Sequence, residues 1–293
     1  MSHRRRHHFL PQFYLRGFVD PRTPPGHAPF VWLRDLATGD VRKRSPKNVA
    51  VESGYYALDT HSGPDYDSVE AELSEMESDA AMALRRYLVA SPGFRGPLPA
   101  ELSRFVAWLA VRTPWLRRVA DERWARFFES AADGREEIPD DPLFGVSVIS
   151  AMSGAEMRVS VAEAIALVRS GEWRPQLDRN QRIDVMRLQA WYFLQQHFPR
   201  LNWFLLTAPP NGLFVTSDRP VVWFTGDGYS DQPAALKQSD VQLTVPVSAR
   251  YALLALGRIP AADFRISPDE VNRRTVYHAE RFIVSPDPRL LTS

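Results

Sequence analysis

Six side chains stand out for the chemistry they could do: His7 and His8 near the start, Lys47, Glu77, Arg112, and Asp218 in the last third. Imidazole can act as acid, base or metal ligand, and His8 with the Glu77 and Asp218 carboxylates would make a nitrogen–oxygen donor set suited to Mg²⁺ or Mn²⁺. The chain contains no cysteine, which excludes thiolate nucleophiles, thiolate metal sites and disulfides together. The Arg112 guanidinium would stabilise phosphate charge, Lys47 would help position it, and His7 would be the general base. Those roles describe a metal-dependent phosphodiester hydrolase, nuclease-like, with nucleic acid as its partner.

The same residues admit two other readings. In an extended segment His7 and His8 point to opposite sides, so one of them carries any function. Glu70 and Glu77 are seven apart, two helical turns, which places both on nearly one face. Arg112 lies in an apolar stretch and precedes Thr113-Pro114. A guanidinium buried there needs a carboxylate. If that partner is Glu77, the pair is structural and the chain is a non-catalytic binding or defence-associated interaction protein. A metal-free enzyme on a small molecule, with His8 and Asp218 as acid–base partners, is the third reading. Asp218 sits in the turn Ser217-Asp218-Arg219-Pro220, where aspartate also serves simply to bind backbone N–H groups. The chain has no phosphate loop, no dinucleotide fingerprint and no zincin helix, so no nucleotide cofactor is expected.

The elements that must position these groups read as α+β: an N-terminal β-hairpin region, a helical middle and a C-terminal, mainly antiparallel sheet. One domain over 1–293 is expected, with sub-regions 1–66, 67–199 and 200–293. Phe30 to Leu33 and Val41 to Arg44 make the hairpin around Thr38-Gly39-Asp40. Val69, Leu73, Met76, Ala80 and Leu84 recur at helical steps behind a cap at Asp67 or Ser68, and Pro114 should break the helix that begins near Leu102. Pro139 to Pro142 read as a linker, Val161 to Val168 and Asp184 to His197 as helices, and Gly226-Asp227-Gly228 as a turn. Short apolar runs from Trp203 to Leu256 read as strands, and Ser267-Pro268 opens a last helix. The opening itself is unusual: Phe9, Phe13, Tyr14 and Phe18 need an apolar surface to cover them, so the segment should be tied into the fold.

The formal net charge is +1, against bulk electrostatic binding of nucleic acid, although Arg4 to Arg6 and Arg42-Lys43-Arg44 with Lys47 could form a local basic face. Trp108, Trp115 and Trp124 lie among arginines that could stack bases. No run approaches the roughly 20 apolar residues of a membrane span and the basic opening lacks a signal-peptide core, so a cytoplasmic location is expected.

His7-His8 with Pro11, Tyr14, Leu15 and Phe18, then Ser45-Pro46-Lys47-Asn48, Glu70 with Glu77, Arg112-Thr113-Pro114, Thr216 to Pro220 and Asn272 occur in an order that resembles the bacterial domain-of-unknown-function family 4238 (DUF4238) over the full length. The resemblance selects positions and implies no chemistry.

Overall fold

The computed structural model describes residues 6–90, 95–138, 145–225, 228–229, 236–257 and 266–291. Arg4, Arg5, the linker at Pro139 to Pro142 and the turn at Gly226-Asp227 lie outside the described residues. Seven α-helices are present among them: α1 (Gln12–Arg16), α2 (Ser68–Ala90), α3 (Ala100–Val111), α4 (Pro114–Ala132), α5 (Val161–Arg169), α6 (Arg179–Tyr192) and α7 (Pro268–His278). The architecture is α+β, as the sequence pattern predicts. No helix among the described residues is long and apolar enough to cross a membrane.

The chain divides into two compact units whose borders do not follow the three stretches read from sequence. The first comprises residues 1–55, 66–113 and 189–293. Its largest sheet is antiparallel, with strands in the order 228–229, 222–225, 242–246, 251–256, 202–207 and 95–96. Leu243, Val245, Leu253 and Ala255 are almost wholly buried in its central strands. A four-stranded antiparallel sheet joins 216–217, 282–285, 31–35 and 41–44, so the predicted hairpin forms one side of it.

The opening segment is tied down as its aromatic content requires. Arg6–His8 pairs antiparallel with Val51–Ser53. Pro11, with φ fixed near the value the first turn needs, leads into α1, and Leu15 N–H donates to the Pro11 carbonyl at 3.0 Å. Phe9, Leu10, Tyr14, Leu15 and Phe18 are all buried. The Tyr14 hydroxyl, which must find partners once buried, meets Thr216 Oγ1 at 2.6 Å and donates to the Pro246 carbonyl at 2.8 Å. Gly17 follows because a Cβ there would lie 3.1 Å from the Val247 carbonyl oxygen.

The second unit comprises residues 56–65 and 114–188. The predicted helical middle also carries a three-stranded antiparallel sheet, in the order 173–176, 146–150 and 156–159. Phe128, Val146, Val148, Val161 and Ala164 form its core. The segment 56–65 belongs here because the Asn180 side chain clamps Asp59 from both sides, accepting its N–H at 2.8 Å and donating to its carbonyl at 3.0 Å.

Candidate functional site

Helix α2 presents Glu70, Ser74, Glu77, Ser78 and Ala81 at steps of three and four, one stripe along the helix. With His8, Gln12 and Phe13 from the opening segment they line a cleft of about 310 Å³ in the first unit. The position of His8 follows from strand alternation. His7 turns inward, 1% exposed, and its Nε2–H donates to the Tyr66 carbonyl at 3.0 Å. His8 turns the other way, lines the cleft, and its Nε2–H donates to the Lys47 carbonyl at 3.2 Å. That bond selects the tautomer and leaves Nδ1 as the ring nitrogen able to take a proton.

Glu77 is fixed from behind. Arg112 ends α3 wholly buried, and its Nη1 donates to Glu77 Oε1 at 2.7 Å; the side chains are 1% and 23% exposed. The Arg112 carbonyl in turn accepts the Tyr55 hydroxyl at 2.9 Å. Arg112, expected to stabilise phosphate charge, is thus buried behind Glu77 and is not among the residues that line the cleft. Lys47 likewise contributes its backbone carbonyl to His8, while its side chain is exposed to solvent.

Of the three titratable groups lining the cleft, Glu70 and His8 are pushed in opposite senses. Burial, reinforced by the Glu77 charge and opposed by Arg112, pushes the Glu70 carboxyl up to about 7. Burial holds the His8 imidazole below its ordinary value, against the opposing effects of the Lys47 carbonyl and Glu77. This arrangement lets a carboxylic acid that keeps its proton up to about pH 7 share the cleft with an imidazole biased toward its neutral form.

Asp218 is placed elsewhere. It is 1% exposed, and its Oδ1 accepts the backbone N–H groups of Glu280, Arg281 and Phe282 at 3.1, 3.2 and 3.3 Å. Burial raises its carboxyl and these N–H groups oppose the rise. Among the described residues no three His, Asp or Glu side chains group as metal ligands. The expected set of His8, Glu77 and Asp218 is thus not brought together, because Asp218 spends its carboxylate on the chain that leads into strand 282–285. Ser217 is equally committed, its hydroxyl exchanging hydrogen bonds with the backbone of Arg219 at 3.1 Å. Glu70 is the site residue that a metal-centred reading passes over. Its signal is the seven-residue interval to Glu77, with Ser74 in between and Ser78 just after.

An α+β protein with a polar, carboxylate- and histidine-lined cleft is the class that fold and site define. The chain belongs to the family described as protein of unknown function DUF4238, whose model matches residues 6–289. No curated protein and no solved structure matches it.

Proposed function

We propose that the cleft of His8, Glu70 and Glu77 is a metal-free acid–base site acting on a small polar molecule. The Glu70 carboxyl gives a proton, the neutral His8 ring takes one, and burial, reinforced by the Glu77 carboxylate that Arg112 holds, raises Glu70 so that it can carry that proton. One observation carries this reading: two groups driven toward opposite protonation states line a single cleft. A volume of about 310 Å³ suits a small molecule. A metal-dependent phosphodiester hydrolase would need Asp218 beside His8 and Glu77, and a carboxylate already accepting three backbone N–H groups argues against that role. A cysteine-free chain fits the reducing cytoplasm, where we place this activity.

The test is turnover of a panel of chromogenic esters, glycosides and phosphodiesters by the full chain at pH 7 in the presence of EDTA. Wild type should turn over at least one class, and Glu70→Gln should lose about a hundredfold or more, the usual share of a general acid. Equal turnover by the variant, or turnover that appears only on adding Mn²⁺, would overturn the proposal.

A further inference from the structure

A second feature of the first unit lies outside the acid–base cleft. Strand 41–44 is the outer strand of its four-stranded sheet and carries Arg42, Lys43 and Arg44, all exposed. Its pairing with strand 31–35 sets Arg42 opposite Leu33 and Arg44 opposite Val31, so the two arginines share the face that carries those buried residues. On that face they line a cleft of about 550 Å³ together with Asn48 and Arg281. Lys43 lies on the other face, its ammonium 4.5 Å from the centroid of Phe30 and 5.2 Å from that of Trp32. Arg6 reaches the same place, donating to Asn48 Oδ1 at 3.3 Å, and Lys47 stands exposed beside Asn48.

The carboxylates here are largely spoken for. Asp35 pairs with Arg42 at 3.3 Å, Glu52 pairs with Arg281, and Glu280 lies 3.6 Å from Arg219. Among the described residues Arg6, Lys43, Arg44 and Lys47 stand in no ion pair. Three of these cations, Arg6, Arg44 and Lys47, surround one concave, Asn-centred groove that Arg42 also lines, a concentrated positive face on a chain of net charge +1. A bilayer surface would also want an apolar side chain to insert, and none of the exposed large apolar residues belongs to these segments. Basic residues on an outer strand also discourage edge-to-edge aggregation, but that role needs neither the groove nor the cations contributed by Arg6 and Lys47.

We propose that this groove, rimmed by Arg6, Arg44 and Lys47 and floored by Arg42 and Asn48, docks the phosphodiester backbone of a nucleic acid. Recognition is of phosphate charge and not of base sequence, since arginine forks and a carboxamide supply donors to phosphate oxygens. The inference is independent of the acid–base reading, although the Lys47 carbonyl that orients His8 joins the two surfaces.

Fluorescence anisotropy with labelled 20-nucleotide DNA and RNA, single-stranded and duplex, tests it on the full-length chain. Binding should weaken as salt rises from 50 to 200 mM, with a slope of log K against log salt near −3, the value for about four neutralised phosphates. The double variant Arg44→Ser, Lys47→Ser should bind at least fivefold more weakly with a slope shallower by about 1 to 2, while Arg135→Ser, an exposed arginine on the second unit, should bind like wild type. Thermal melts confirm that each variant is folded. No binding at 50 mM salt, or equal binding by the double variant, would overturn the proposal. So would binding only to vesicles containing phosphatidylserine, which would make the partner an anionic lipid surface.

Discussion

The first turn of a helix normally favours an ionised carboxylate, because unpaired N–H groups gather positive potential there. Glu70 sits in the first turn of α2 and yet is raised to about 7, so burial and the Glu77 charge outweigh the helix terminus. This has a consequence for stability with a definite sign. Unfolded, Glu70 ionises near its ordinary 4.5; folded, it holds its proton until about 7. Between those values the folded state binds more protons, and stability falls as pH rises through the window. Glu70→Gln removes the penalty. Thermal melts should show the variant gaining on wild type from pH 4 to pH 8, with most of the gain between about 4.5 and 7; a constant difference would contradict the assigned environment. The histidine pair was legible at this scale, since strand alternation alone sends His7 and His8 to opposite sides. The role of Asp218 was not. A turn aspartate that clamps backbone and one that binds a ligand have the same local sequence.

At the scale of elements, α2 and α3 are linked by the Glu77–Arg112 pair, which the sequence predicted from an arginine in an apolar stretch needing a carboxylate. Removing one partner strands the other in a desolvated place. Arg112→Ala should cost about 3–5 kcal/mol in urea denaturation of the full chain. A loss below about 1 kcal/mol would mean that Glu77 is not held as described. Helices with clear apolar stripes and caps were readable: α2 behind Asp67, the break before Pro114, and α7, whose Ser267 hydroxyl accepts the Glu270 N–H at 3.1 Å. The sheet at 146–176 was not. Val146 and Val148 alternate with polar neighbours, but the run is short, and Glu156–Val159 alternates over only four residues, Met157 and Val159 with Glu156 and Arg158, and its side chains are mostly exposed. Such a strand is held by its neighbours' backbone, which leaves little mark on its own sequence. Asn272 is another case. Its carboxamide accepts the Val215 N–H at 2.9 Å and donates to the Leu213 carbonyl at 2.8 Å, a fastening between distant segments that a single sequence does not disclose.

For the molecule as a whole, net charge near zero conceals segregation: an arginine-lined groove ringed by Arg6, Arg44 and Lys47, and a separate cleft whose titratable lining is two carboxylates and one histidine. Composition averages over both. Unit borders were also beyond the sequence, because residues 56–65 join 114–188 through contacts such as Asn180 with Asp59, made across long stretches of chain. The claim on which the functional account turns is that Glu70 keeps its proton near neutral pH because it is buried beside Glu77. The measurement that tests it most directly is a carbon-13 NMR titration of the Glu70 side-chain carboxyl in wild type and in Glu77→Gln. We predict a wild-type midpoint near 7 that moves down toward the ordinary carboxylate range in the variant. A wild-type midpoint already near 4.5 would contradict the account and leave the cleft without its acid.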